Sequence, residues 1–133
     1  MAAKNHKGFK ISLDRTRHVL RTRAWGFWDK EFAQKYKSAL TEEVEELCAR
    51  GEEWYALVDL TAFFYPRATE VQHILDAQIA PAQTQGMKKI AYLEKRSVVR
   101  SLLDRLFREG DVQKHAFFES EEQALHWLSN ESR

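Results

Sequence analysis

Trp54-Tyr55-Ala56-Leu57-Val58, closed by Asp59, is the stretch on which the fold turns. A nearly continuous apolar run has no face to offer water, so it predicts a strand covered by helices on both sides, the central strand of a parallel sheet. Ile90-Ala91-Tyr92-Leu93 repeats the pattern and predicts the next buried strand, and His115-Ala116-Phe117-Phe118 a last one. Helical periodicity fills the spaces around them. Asp29 is an N-cap candidate for a helix carrying Phe32, Tyr36, Leu40, Val44 and Leu47 down to a stop at Gly51. Thr69 can cap a helix with Val71, Ile74, Leu75 and Ile79, interrupted at Pro81 and closed by Gly86. Ser97 precedes Val98, Val99, Leu102, Leu103, Leu106 and Phe107, ending at Gly110; Ser120-Glu121-Glu122-Gln123 is a capping-box start for Ala124, Leu125, Trp127 and Leu128.

Toward the N-terminus, Phe9 to Leu13 and His18 to Trp25 roughly alternate apolar and polar residues across a short polar link, which predicts an antiparallel hairpin. The element order is β-β-α-β-α-β-α-β-α, and helices between successive strands force parallel pairing through right-handed crossovers. The expected fold is an α/β sandwich with a mixed, mostly parallel sheet. No repeat or linker divides it, so residues 8–129 are expected to form a single domain between a disordered tail at 1–7 and a C-terminal tail at 130–133.

The chain has 133 residues, 44% of them apolar, enough for an ordinary core and too many for a disordered chain. Lys and Arg number 21 against 20 Asp and Glu, so the formal net charge of +1 provides no global field for nucleic acid or an anionic membrane. No apolar run reaches the roughly 18 residues of a membrane span, and the N-terminal residues lack a signal peptide's apolar stretch. A cytoplasmic protein is expected. Cys48 stands alone and cannot close an internal disulfide.

The element order, the strand end Val58-Asp59-Leu60-Thr61 and the closing Ala116-Phe117-Phe118-Glu119-Ser120-Glu121-Glu122-Gln123-Ala124-Leu125-His126-Trp127-Leu128 resemble the bacterial SpoIIAA-like, or STAS-like, domains over residues 9 to 129. The resemblance implies a STAS-like (SpoIIAA-like) sandwich. STAS anti-sigma factor antagonists carry an Asp-Leu-Ser-like turn at a strand end and a phosphorylatable Ser in Asp-Ser-Ser-Gly at the start of the next helix. Asp59-Leu60-Thr61 matches the turn, whereas Arg67-Ala68-Thr69-Glu70 stands where the switch would lie, leaving Thr69 as the candidate phosphorylation site. The architecture also resembles the lipid-carrying Sec14-type domains, which brings an apolar ligand into view.

Ligands of open α/β sheets bind beyond the carboxyl ends of the parallel strands, after Val58, Leu93 and Phe118. In the first such segment, read as a loop from Asp59 to Thr69, Phe63-Phe64-Tyr65-Pro66 is more apolar than a turn requires, so at least one aromatic is expected at the surface or over a neighbouring pocket. In the second, Lys95, Arg96 and Ser97 stand at a helix start, where Arg67 and Arg100 could help hold a phosphate, carboxylate or head group. Trp25, Phe27 and Trp28 mark the strand-to-helix turn, beside a hairpin edge open to dimer pairing.

Catalytic patterns are weak. Glu70, His73 and Asp76 rotate around their helix, Cys48 and the strand histidines His18 and His115 lack nucleophilic partners, and no Gly-rich phosphate cradle occurs. Arg96, Arg100, Arg105 and Arg108 line one helix without interleaved aromatics, so nucleic acid is not the expected partner. No metal and no cofactor are expected. The leading expectation is a non-enzymatic protein-interaction or regulatory module, engaging a partner protein or its own copy through Phe63, Phe64, Tyr65 and Arg67 with Lys95, Arg96 and Ser97 at the rim. The alternative is a carrier or sensor of a small amphiphilic or anionic ligand. An enzyme ranks third, with Asp59 as the position to mutate.

Overall fold

A computed structural model describes residues 7–51, 53–64, 86–109 and 115–129, with the side chains of 48 and 106–109 excepted. Eight elements follow in order: β1 (Gly8–Asp14), β2 (Val19–Phe27), α1 (Lys30–Arg50), β3 (Trp54–Phe64), β4 (Met87–Leu93), α2 (Ser97–Glu109), β5 (His115–Phe118) and α3 (Glu121–Ser129). The strands form one sheet in the order β1-β2-β3-β4-β5. Only β1 and β2 pair antiparallel; β2-β3, β3-β4 and β4-β5 are parallel. The mixed, mostly parallel α/β sheet expected from the sequence is therefore present. Of the expected helix over 69–86 only Gly86 is described; residues 65–85, 1–6 and 130–133 lie outside the described residues, as does the Cys48 side chain.

Because the strand order advances in one direction, right-handed crossovers put α1 and α2 on the same face of the sheet. The packing agrees. Ala33, Tyr36, Val44 and Leu47 of α1 and Val99 and Leu103 of α2 share one core with Leu20, Ala24, Ala56, Leu60, Ile90 and Tyr92. On the opposite face, Ala124 and Leu128 of α3 pack on Val19, Leu57, Ala91 and Leu93. Trp54, Ala56 and Leu60 of β3 are buried in the first core and Leu57 in the second, so this central strand is covered on both sides.

Local signals act where the sequence places them. Asp29 Oδ1 accepts the Phe32 N–H at 2.8 Å and caps α1, which stops at Gly51 with φ of +70°. Ser120 Oγ accepts the Gln123 N–H at 3.2 Å and opens α3. At the other end of α3 the buried Lys89 donates to the Trp127 carbonyl at 2.9 Å, placing a cation on the negative end of the helix dipole. Two strand boundaries differ from expectation. His18 lies in the β1–β2 turn at φ +59° rather than in a strand, and its carbonyl accepts the Tyr55 N–H. β3 does not stop at Val58 but runs to Phe64, for a reason that bears on the site.

The core beneath the hairpin is aromatic. Trp28 is 5% exposed, its ring centroid within 5.1 Å of those of Phe32, Tyr36 and Phe63 and 6.0 Å from Phe9. Burial in this cluster pushes the Tyr36 phenol up from its ordinary 10.0, with the neighbouring Thr22 hydroxyl opposing the shift. The neutral phenol is favoured in the folded state, so its contribution to stability is complete below the ordinary tyrosine value and is lost as pH rises through the higher folded one. Urea midpoints measured from neutral to alkaline pH are expected to fall less steeply for Tyr36→Phe than for the wild type.

Candidate functional site

The carboxyl ends of β2, β3, β4 and β5 form one rim of the sheet, and the bulge in β3 sets what this rim presents. From Arg23 to Trp25 β2 advances two residues while β3 advances three, Asp59 to Ala62, so one extra residue enters β3. Asp59 holds the irregularity: its Oδ1 accepts the Thr61 N–H at 3.0 Å and the Thr61 hydroxyl at 2.7 Å. The Asp59-Leu60-Thr61 turn signal is thus spent inside a continuing strand. The extra residue inverts the alternation beyond it. Leu57 and Asp59 lie on the α3 face, yet Phe63 turns into the α1 core at 2% exposure and Phe64 turns out.

Phe64 is 52% exposed and stacks on Phe27, itself 70% exposed, with ring centroids 4.6 Å apart and planes 9° from parallel. The expectation that aromatics at this strand end divide between core and surface is met, but within a strand rather than a loop. Phe27 is the partner of Phe64 that sequence order alone does not reveal; the pairing Phe27 to Phe64 across β2 and β3 creates it. Farther down the same face, the Arg23 guanidinium lies 5.4 Å from the Trp25 ring and 3.9 Å from Asp59 Oδ2. Gly8 sits opposite Trp25, where a Cβ would come within 2.5 Å of the indole, so the missing side chain is what lets this ring lie over β1.

The β4 rim has a different character. Glu94 is fully buried, and its carboxylate accepts the Arg96 N–H at 2.9 Å, Arg96 Nε at 2.7 Å and Arg96 Nη2 at 2.8 Å. Arg96 Nη2 also donates to the Leu60 carbonyl at 2.8 Å, tying β4 to the bulge of β3. These hydrogen bonds hold the Arg96 guanidinium above its usual value. Arg100 donates to the Glu94 carbonyl and lies over the Phe117 ring. Lys95 and Ser97 are exposed, and Ser97 is the first residue of α2 rather than its cap. Arg96 therefore acts first as a clamp, with its remaining edge toward solvent. Tyr65, Pro66, Arg67 and Thr69, like Glu70, His73 and Asp76, lie outside the described residues.

His115 meets Asp104 of α2 at 2.6 Å and so bridges β5 to that helix. At the opposite end of the strands, Arg17, His18, Glu53 and Tyr55 line an open cleft of about 390 Å³ that the sequence did not signal. Among the described residues no three or more His, Cys, Asp or Glu gather to hold a metal, and no helix is long and apolar enough to cross a membrane.

No family model matches the chain, and no curated protein does. Among solved structures, an uncharacterized protein of the DUF3478 family from Shewanella loihica PV-4, described as having a SpoIIAA-like fold, superposes with a TM-score of 0.69 at 19% identity, covering 93% of this chain and 96% of that one. The chain has a SpoIIAA-like fold. At that identity the likeness concerns the SpoIIAA-like architecture alone, and what the domain does rests on its own surface.

Proposed function

We propose that this SpoIIAA-like domain is a non-enzymatic interaction module that binds a partner protein on the strand-end rim centred on Phe64. The observation that carries the reading is the Phe27–Phe64 stack, two large rings left in water where the β3 bulge turns Phe64 out beside the outward-facing Phe27 of β2. Exposed aromatics held rigid by neighbouring backbone are effective anchors, because little side-chain entropy remains to be lost on binding. Phe63 underpins the site from the core, Lys95, Arg96 and Ser97 form its charged rim, and Tyr65 and Arg67 are assigned to its flank. Thr69 is assigned as the hydroxyl through which phosphorylation regulates it. Asp59, the residue best placed for general acid–base chemistry, is occupied by Thr61 and Arg23.

The carrier alternative draws less support, since Arg96, the cation it needs for a head group, spends its donors on Glu94 and Leu60. Affinity capture from the native cell extract tests the proposal. Phe64→Glu is expected to lose the partner retained by the wild type while its unfolding free energy stays within about 0.5 kcal/mol, as for other exposed substitutions. An unchanged set of captured proteins, or a lipid-sized adduct on the purified chain in native mass spectrometry, would contradict it.

A further inference from the structure

α3 stands over β3, β4 and β5 and reaches Val19 at the start of β2, and no other described helix covers the rest of the β1–β2 half of this sheet face. That half carries exposed Lys10, Ser12 and Arg23, with Trp25 half-exposed above Gly8 and the Phe27–Phe64 stack at its upper corner. Lys10 and Arg23 are cross-strand neighbours, so two cations stand side by side. The outer surface of α3 has the opposite sign: Glu119, Glu121 and Glu122 are exposed around its first turn. The two surfaces already meet at one point within the chain, where Arg21 of β2 pairs with Glu121.

We infer that the open half is covered by α3 of a second copy of this chain, in a two-fold dimer whose axis runs along the strands between β2 and β3. This rests on the reading of the strand-end face as an interaction surface and names its occupant. A rotation about that axis carries β3 over β2 and moves α3 from its own β4 to a place above the partner's β1, so each bare half-sheet receives the helix that the other half already has. Heights along the strands are preserved. The first turn of α3 follows Phe118, which lies in one register row with Leu93, Asp59 and Arg23, so it arrives level with Lys10 and Arg23 of the partner subunit, and carboxylates meet cations twice, once on each side of the axis. The two Phe27–Phe64 stacks approach each other at the axis. A net charge of +1 offers no global repulsion to oppose the pairing.

Sedimentation velocity on the full chain, from about 1 to 500 µM, tests the arrangement, a range that spans weak to moderate dimers. The wild type is expected to dimerise. Lys10→Glu/Arg23→Glu and Glu122→Lys are each expected to dissociate on the order of 30-fold more readily, because each sets like charges against like on both sides of the axis. An equal mixture of the two variants is expected to recover dimers, since the heterodimer restores opposite charges at both contacts. Circular dichroism of each variant alone verifies that the fold is kept. A wild type that stays monomeric throughout, dimers indifferent to these charges, or folded variants that fail to rescue each other would overturn the proposal. Were the chain monomeric while Phe64→Glu still lost a foreign partner, the dimer would fall and the docking reading would stand.

Discussion

Arg96→Ala is expected to lower the unfolding free energy by about 2–4 kcal/mol, somewhat under the cost of breaking a fully buried ion pair because the guanidinium is 41% exposed. The reason lies on the other side of the pair. Glu94 is fully buried, and three of the hydrogen bonds to its carboxylate come from Arg96, two from the guanidinium and one from the backbone. With the guanidinium gone, the carboxylate keeps the Arg96 N–H and loses the cation that neutralises it. Arg96→Lys is expected to recover only part of the lost stability, because an ammonium cannot span both carboxylate oxygens and the Leu60 carbonyl as the planar fork does. Urea unfolding measures both effects, and an Arg96→Ala variant as stable as the wild type would contradict the account of a stranded carboxylate.

Trp28→Ala is expected to cost a similar amount, about 3–5 kcal/mol, by a different mechanism. Trp28 touches rings from three other segments, Phe9 of β1, Phe32 and Tyr36 of α1 and Phe63 of β3. Its indole N–H donates to the Trp25 carbonyl at 3.1 Å. Truncation removes both the apolar contact and the support beneath the bulge, since Phe63 packs against it on the inner side of β3. Phe64 and Phe27 should therefore lose their fixed geometry as well, and association through them should weaken together with stability. Chemical denaturation gives the first effect; a variant as stable as the wild type would show the ring cluster to be no keystone.

Trp54 to Val58 and Ile90 to Leu93 announce parallel strands because burial on both faces leaves no room for alternation, while the half-buried edge strand His115 to Phe118 shows itself as a short apolar run ahead of the Ser120 cap. The caps at Asp29 and Ser120 are equally legible, each depending on a side chain a few residues from its target. Asp59-Leu60-Thr61 was harder to read. An Asp followed two residues later by a Thr is turn chemistry, and in this chain the turn is a bulge that the strand survives. Local sequence cannot distinguish a strand that ends there from one that continues with inverted faces. It therefore does not reveal which of Phe63 and Phe64 is buried.

The Glu94 clamp was hidden for another reason. Lys95 and Arg96 at a helix start look like solvated cations, and a carboxylate ahead of them looks like their exposed counterpart. Burial of Glu94 follows from its place at the end of β4, where its N–H meets the Phe118 carbonyl and its side chain enters the junction with β3. Only the tertiary arrangement supplies the Leu60 carbonyl, 36 residues away, that completes the guanidinium's hydrogen bonds. A cation read as available to a ligand is thereby largely engaged by the protein.

Photo-crosslinking in the native cell, from a benzoylphenylalanine at position 64 and from the same residue at position 50, separates a docking surface from general exposure. Arg50 is exposed at the carboxyl end of α1, just before β3 begins, at the opposite end of the strands from Phe64. A discrete protein adduct is expected from position 64 and is expected to be absent from position 50. No adduct at position 64, or the same adducts from both positions, would contradict a docking surface centred on Phe64.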